Sequence, residues 1–179
     1  MESISYKTAL IVGAGMGLSA ALTSAGYDGV MMNFVGYIPG LLESSPQLAA
    51  ALDGAYVNTQ LVPQEAQTPY ILQVEDDLEA VGAENGRFIT FGAGLAYMEA
   101  DLVVQLLEAA GPDLNTQTFD AAANGGGFRY EPLAGGPGAM NYPEDHFLPT
   151  DCAAVVRIEG TTYHIVEDFT CYDSYPVGG

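Results

Sequence analysis

The chain has 179 residues, of which 49% are hydrophobic, so it is long enough to bury a core of its own. The chain has 23 acidic and only four basic side chains, and the formal net charge of −19 excludes nucleic acid and anionic membrane surfaces as partners. No apolar run approaches the roughly 20 residues that a membrane-spanning helix needs. The composition therefore predicts a water-soluble, acidic globular protein.

Strands and helices are predicted to alternate along the first third of the chain. Residues 8–12 form a β-branched, apolar run that predicts a strand, and a glycine-rich turn and a helix ending at Gly26 follow it. Further buried strands are expected at residues 29–34 and 55–62, with a loop or short helices between them. This alternation predicts an α/β fold, a parallel sheet with flanking helices.

Two longer helices are predicted in the middle of the chain. Thr68 precedes Pro69, which is the order of a capping residue and a proline at the first helical position. The second helix is expected to end at Gly111. The apolar stripes are Ile71, Val74, Leu78 and Val81 in the first helix, and Leu95, Leu102, Val103, Leu106, Leu107 and Ala110 in the second.

The last third of the chain changes character twice. Asn115 or Thr116 is expected to cap a short helix. Residues 125–149 are rich in glycine and proline with little periodicity, which predicts a long connection without regular structure. Two β-like runs, residues 153–158 and 161–169, then predict a closing hairpin.

The two cysteines, Cys152 and Cys171, bracket this hairpin. If Ile158 lies opposite Thr161, Cys152 faces Glu167, so Cys171 needs a bend or bulge to reach Cys152. We expect a disulfide, which implies an oxidising compartment, and two buried thiols are the alternative. A metal site is disfavoured, because the sequence has neither a Cys-x-x-Cys pair nor a histidine at ligand spacing near them.

The glycines Gly13, Gly15 and Gly17 resemble a dinucleotide fingerprint, which would make the chain an FAD- or NAD-dependent oxidoreductase. The third glycine of that motif is expected where Leu18 stands, and it governs close helix–strand packing. The next strand ends at Asn33 instead of the acidic residue that holds a ribose. The spacing favours a plain strand-to-helix turn, and the oxidoreductase is kept as the alternative.

No catalytic or metal-binding constellation is predicted elsewhere. His146 and His164 lie in a proline-rich loop and in a hairpin strand, without a nucleophile nearby in sequence. The acidic runs at residues 75–77 and 144–145 are more typical of solvated surface than of a cation site. We therefore expect no enzyme activity, no cofactor and no metal.

Four segments, in order, resemble the second half of a type 1 periplasmic binding protein of the branched-chain amino acid (Leu/Ile/Val) type. That family supplies the extracytoplasmic substrate-binding component of ABC importers. The similar segments are residues 21–29, residues 52–57, residues 96–111 and a closing stretch from residue 145 to residue 160. The resemblance covers nearly the whole chain and rests on the order and spacing of loose patterns.

The resemblance implies two Rossmann-like lobes that close over a small organic ligand, such as an amino acid or a related compound. Residues 1–61 and 135–179 would form the second-lobe portion, and residues 62–134 the first-lobe portion. The ligand would contact loops at the carboxyl ends of strands, as in other open sheets. The expected ligand-binding residues are Gly13, Ala14, Gly15, Met16, Asn33, Phe34, Tyr37 and Tyr97.

Two departures from the family qualify this expectation. Val35 stands nearest to the position where the amino-acid binders carry a carboxylate for the ligand ammonium, which argues against an α-amino acid. The fold is expected to be incomplete relative to the family, because neither the family's first half nor its signal region is matched by this sequence. The expected partners are therefore an ABC permease, a missing N-terminal half, or a second copy joined through exposed apolar helix faces. The expected location is periplasmic or extracellular.

Overall fold

The computed structural model describes residues 15–33, 36–83, 88–146 and 151–172. The predicted strand at residues 8–12 lies outside these ranges. Among the described residues, no helix is both long and apolar enough to cross a bilayer. The elements are α1 (Gly15–Ser24), β1 (Met32–Asn33), α2 (Leu41–Ser44), α3 (Pro46–Leu52), β2 (Tyr56–Thr59), a 3₁₀ turn (Gln64–Ala66), α4 (Pro69–Ala80), α5 (Phe91–Ala110), α6 (Thr116–Asn124), β3 (Phe128–Tyr130), β4 (Met140–Tyr142), β5 (Cys152–Glu159) and β6 (Thr162–Cys171).

The chain divides into two compact units. The first contains Met1–Ala66 and Ala153–Thr170, and the second contains Gln67–Cys152 and Cys171–Gly179. The chain therefore passes between the units three times. The lobe boundaries that the resemblance implies, after residue 61 and before residue 135, stay a prediction.

The first unit is built on a sheet with the strand order β1-β2-β5-β6. β1 and β2 are parallel, with Asn33 paired to Val57, which confirms the parallel arrangement predicted for these two strands. β5, the first strand of the closing hairpin, runs antiparallel to β2, so the sheet is mixed. Helices α1, α2 and α3 accompany this sheet, and α1 packs against α3.

The core of the first unit follows from the alternation of apolar residues along its strands. β5 buries every second residue from Cys152 to Ile158, as expected of a strand with one face on a core. Val156 and Ile158 of β5 belong to one buried cluster with Val57 of β2, Leu42 of α2 and Leu52 of α3. None of these five side chains is accessible to solvent.

The second unit holds the three helices that were predicted from their ends. The Thr68 hydroxyl accepts a hydrogen bond from the amide of Ile71 at the start of α4. At the end of α5, Gly111 adopts the positive φ of 78° that favours glycine at this position. The side chain of Asn115 caps α6, and Asn115 is one of the two residues that were predicted as alternatives for this cap. Val81 was expected in the stripe of α4, but this is wrong: it follows the last helical residue and is 78% exposed.

The prediction of an unstructured connection at residues 125–149 is also wrong. β3 and β4 pair there as an antiparallel hairpin, from Phe128 opposite Tyr142 to Tyr130 opposite Met140. The strands have three residues each, too few for an alternating pattern to stand out from the glycines and prolines around them. Contact with α5 and the complete burial of Tyr130 hold the hairpin in place.

Candidate functional site

The candidate site lies in the first unit, where β1 ends beside the first turns of α1. Ser19 is on the buried face of α1 and Asn33 is the last residue of β1. The Ser19 hydroxyl donates a hydrogen bond of 2.7 Å to the Asn33 side-chain oxygen. Both side chains are almost completely buried, with 1% and 2% exposure. This polar pair fixes the orientation of the Asn33 amide.

The other end of that amide, Nδ2, has no hydrogen-bond partner among the described residues. A buried donor left in this state costs about 1–3 kcal/mol, because it gives up water without a replacement. Buried polar groups in folded proteins are nearly always paired, so this donor calls for a partner that the described residues do not supply, such as a water molecule or a ligand. The partner that fits an amide N–H is an oxygen acceptor: a carboxylate, carbonyl or hydroxyl.

Gly36 leaves a small gap beside Asn33. A methyl group placed on Gly36 would lie 3.4 Å from the Met16 side chain and 3.5 Å from the Asn33 and Val57 side chains. These are ordinary van der Waals distances, and the backbone of Gly36 does not lie in the region that favours glycine. The space beside Gly36 is therefore methyl-sized, and carbon atoms of Met16, Asn33 and Val57 border it.

The loop that follows Asn33 is held by two buried tyrosines. The Tyr37 hydroxyl donates to Glu65 at 2.6 Å and accepts from the amide of Gln64 at 2.7 Å. The Tyr163 hydroxyl donates to the carbonyl of Gly36 at 2.7 Å, and its ring lies 5.0 Å from the Tyr37 ring. Together these contacts fix the backbone on both sides of the gap.

Burial is the main cause of the altered acidity in this group. It raises the pKa of the Tyr37 hydroxyl, and the Glu65 charge and hydrogen bond raise it further. Burial also raises the pKa of the Glu65 carboxyl, although the Tyr37 hydrogen bond acts in the opposite direction. Tyr37 therefore remains a neutral donor at physiological pH, which suits a residue that positions the loop.

Four of the residues expected at the ligand site belong to the first unit, and their role in binding stays a prediction. Gly15 and Met16 begin α1, Asn33 ends β1, and Tyr37 lies in the loop after β1, all in the first unit. Both hydrogen-bonding positions used by the Tyr37 hydroxyl are taken by the protein, so direct ligand contact by this residue stays a prediction. Three expected residues, Gly13, Ala14 and Phe34, lie outside the described residues, as does Val35.

Tyr97 lies in the second unit, on α5, where its hydroxyl donates to Asp77 at 2.7 Å. The residues that sequence reasoning missed are Ser19, Gly36 and Glu65. Ser19 carried one signal, a polar residue on the buried face of a helix otherwise filled with apolar and small side chains. Glu65 carried none, because its distance from Tyr37 along the chain is 28 residues.

Cys152 and Cys171 form a disulfide with an S–S distance of 2.03 Å, which confirms the predicted bond. β6 has ten residues and β5 has eight. The additional length of β6 is in line with the expectation that Cys171 lies beyond the residue directly opposite Cys152. Asp151 lies within reach of both sulfur atoms. The sulfur atoms are bonded to each other, however, so neither is a thiolate that could hold a metal ion.

The chain matches one family of known proteins over most of its length. A family model described as periplasmic binding protein matches residues 8–162. The chain belongs to this family. Periplasmic binding proteins bind substrates for transporters, and membership gives the dinucleotide-dependent alternative no support. No curated protein matches the chain.

Solved structures share the fold of this periplasmic binding protein. A branched-chain amino acid ABC transporter protein from Thermus thermophilus with bound valine has a TM-score of 0.63 at 13% identity. A fatty acid ABC transporter substrate-binding protein from Thermomonospora curvata has a TM-score of 0.63 at 18% identity. The leucine binding protein LivK from Thermotoga maritima MSB8 has a TM-score of 0.54 at 15% identity. Each match covers 88% of this chain but 43%, 41% and 42%, respectively, of the solved chain. The chain thus spans about two fifths of their length.

Proposed function

We propose that this chain is a solute-binding part of an extracytoplasmic substrate-binding protein that serves an ABC-type importer. Its ligand is a small organic molecule, such as an amino acid or a related compound, and it undergoes no chemical change in the site. The observation that carries the proposal is the buried Asn33 amide, whose Nδ2 has no partner among the described residues. A ligand oxygen is the group that would complete it.

The surroundings of Asn33 limit the chemistry of this ligand. The methyl-sized gap is bordered by carbon atoms of Met16, Val57 and Asn33, so any group of the ligand that enters it is small and apolar. The chain carries a formal charge of −19, which disfavours a ligand with net negative charge, although salt weakens this at a distance. A zwitterion, a neutral amide or a hydroxy compound with a short aliphatic group fits best. The solved relatives named for valine and for fatty acids mark the range of chemistry to test.

The location and partners follow from the same proposal. The Cys152–Cys171 disulfide is typical of an oxidising compartment, in line with a periplasmic or extracellular protein. The membrane partner would be the permease of the importer. The longer solved chains contain a further portion of the fold. Exposed apolar side chains on α5, including Val103, Val104 and Leu107, would suit packing against such a portion.

A ligand screen by thermal unfolding tests the proposal. The probes are valine, leucine, isobutyramide, 2-oxoisovalerate and octanoate, with unfolding followed by far-UV circular dichroism. A ligand at about 100 times its Kd stabilises the folded state by about 2.7 kcal/mol, which is a clear shift in Tm. We expect at least one zwitterionic or neutral probe to produce this shift.

Two variants then locate the binding site. Asn33→Ala removes the amide, and Gly36→Ala fills the gap without backbone strain, so each should abolish the shift while the protein stays folded. Asn58→Ala on β2 is the matched control, because Asn58 is only partly buried and lies next to Val57 on the opposite face of the strand. A probe that stabilises wild type and both variants equally would show that Asn33 is not the site.

A further inference from the structure

Tyr163 anchors the closing hairpin in the core of the first unit. It is the only buried residue among the ten of β6, whose other side chains are exposed or half-buried. It belongs to the buried cluster that contains Val57 and Ile158, and it is 4% exposed. A phenylalanine ring would fill this place without a polar group, and a buried hydroxyl is costly unless it is hydrogen-bonded. Partners for the Tyr163 hydroxyl must therefore lie inside the protein.

Both partners of this hydroxyl are backbone groups of one short segment, residues 36–38. The Tyr163 hydroxyl donates to the carbonyl of Gly36 at 2.7 Å and accepts from the amide of Ile38 at 3.3 Å. It thus joins a carbonyl to the amide two residues later, a pair of groups that bond to each other directly in a γ-turn. In the part of the chain that the structure describes, no backbone carbonyl accepts from the Ile38 amide. The segment is therefore shaped by a side chain that lies 127 residues from Gly36 along the chain.

Gly36 is also the residue that borders the methyl-sized gap next to Asn33. A methyl group on Gly36 would lie 3.5 Å from Cβ of Asn33 and 3.4 Å from the Met16 side chain, and both are contact distances. Dispersion attraction falls steeply with separation, so a shift of Gly36 by about 0.5 Å changes the contacts that a ligand group finds in the gap. The Tyr163 hydroxyl holds the Gly36 carbonyl, and it therefore controls the width of this gap.

The neighbouring tyrosine, Tyr37, acts on a different part of the chain. Its ring packs 5.0 Å from the Tyr163 ring, but its hydroxyl bonds to Gln64 and Glu65, outside the segment. Burial raises the pKa of the Tyr163 hydroxyl, the bond from the Ile38 amide lowers it, and the Glu65 charge raises it. Tyr163 thus keeps the proton that it donates, and its hydroxyl bonds to the backbone of the segment itself.

We propose that Tyr163 is a positioning residue of the solute site, which holds residues 36–38 at the distance from Asn33 that the ligand requires. The hydroxyl acts through Gly36 and not on the ligand, because its one proton is donated to the Gly36 carbonyl. This role rests on the solute-binding function proposed above, and it names a residue on which the affinity of that site depends. The closing hairpin therefore contributes to binding through a single buried side chain.

The Tyr163→Phe variant tests this role first in the ligand-free protein, because it keeps the ring and removes only the hydroxyl. We expect the ¹⁵N–¹H resonances of the Asn33 side-chain amide, assigned by their loss in Asn33→Ala, to shift in Tyr163→Phe. Tyr130→Phe is the matched control, because Tyr130 is also fully buried and donates a 2.9 Å hydrogen bond, but to Asp101 in the second unit. The Asn33 resonances should keep their positions in this control. Resonances that stay in place in both variants, or that move equally in both, would overturn the proposal.

The functional readout is the Kd of the probe that stabilises wild type most in the thermal screen, whether valine, leucine, isobutyramide, 2-oxoisovalerate or octanoate. It is measured by isothermal titration calorimetry well below the Tm of each variant. Loss of one typical hydrogen bond corresponds to about a fivefold change, so Tyr163→Phe should weaken binding at least about fivefold and Tyr130→Phe less than about twofold. Both variants lose a buried hydrogen bond, but a lower stability alone leaves nearly all of the protein folded and Kd unchanged.

The outcome for Tyr163 and the outcome for solute binding are separable. If no probe binds wild type, the proposed function fails, whereas a Tyr163→Phe variant that binds the probe like wild type refutes the positioning role alone. Amide hydrogen exchange of the wild-type protein needs no variant. The Ile38 amide should exchange at least about tenfold more slowly than in an unstructured peptide, because the Tyr163 hydroxyl is its acceptor. An unprotected Ile38 amide would overturn the proposal even if Tyr163→Phe failed to fold.

Discussion

Removal of the Ser19 hydroxyl is the perturbation that tests the candidate site most cleanly without a ligand. The Ser19→Ala variant loses the donor of a 2.7 Å hydrogen bond, and it leaves the Asn33 oxygen buried without that partner. An acceptor stranded in this way costs about 1–3 kcal/mol. Because Nδ2 has no partner among the described residues either, no other described hydrogen bond of the Asn33 side chain offsets the loss. We expect the free energy of unfolding to fall by about 2 kcal/mol.

The assay is urea unfolding followed by circular dichroism, with the disulfide intact. The double variant Ser19→Ala/Asn33→Ala removes both partners, so it should be less destabilised than the sum of the single variants by about 1 kcal/mol. Ser24→Ala is the control on the same helix, because its exposed hydroxyl bonds only to the carbonyl of Ala20. That change should stay within about 0.5 kcal/mol of wild type. A Ser19→Ala variant as stable as the control, or strictly additive single variants, would refute the reasoning.

Three further predictions concern stability. Folding raises the pKa of the Glu65 carboxyl above 4.5, so the stability that this group contributes is complete below pH 4.5 and is lost as the pH rises through the folded pKa. The Glu65→Gln variant should therefore gain stability relative to wild type as the pH rises from 4.5 to neutral. Urea unfolding at several pH values checks this. Reduction of Cys152–Cys171, which are 19 residues apart, should lower the free energy of unfolding by about 3 kcal/mol, measured with and without reductant. Gly135→Ala should lower Tm by several degrees, because φ is 76° and the new methyl would lie 2.5 Å from the Thr68 side chain.

Each of these predictions has a control. Glu43→Gln removes an exposed charge from α2 and should not reproduce the pH profile of the Glu65 variant. The double variant Cys152→Ala/Cys171→Ala should be insensitive to reductant, and a reductant effect that persists there would not come from the disulfide. Gly82→Ala has a similar positive φ of 69° but open space around it, so it should cost less than Gly135→Ala. Equal losses at both glycines would leave no role for the Thr68 contact.

The features that could be predicted from sequence are those that local residues determine. The caps at Thr68 and Asn115 and the end of α5 at Gly111 depend on residues within one turn; Thr68 and Gly111 were predicted correctly, and Asn115 was one of two predicted caps. The β3–β4 hairpin was missed because Tyr130 and its partner Asp101 on α5 are 29 residues apart, and no local pattern reports such a contact. Its strands are stabilised by tertiary packing rather than by propensity.

The same distinction applies to the candidate site. Asn33 was predicted because a polar residue at the end of a buried strand is visible in the sequence. Its orientation by Ser19 was not, since that contact depends on how α1 packs beside β1. Tyr37 was expected to line a cleft, whereas its ring is buried in the core of the first unit and its hydroxyl binds Glu65. The pattern of a strand-end loop indicated where the candidate site lies, and the packing decided which of its polar groups have partners within the protein.

The most direct test of solute binding is to observe the Asn33 side-chain amide itself. Its ¹⁵N–¹H resonances can be assigned as the pair that disappears in the Asn33→Ala variant and then followed during titration with a probe that stabilises the protein. We expect one of the two amide protons to shift downfield with the binding isotherm, because a ligand oxygen accepts a hydrogen bond from Nδ2. Saturation by a stabilising probe that leaves both protons unchanged would contradict a ligand site at Asn33.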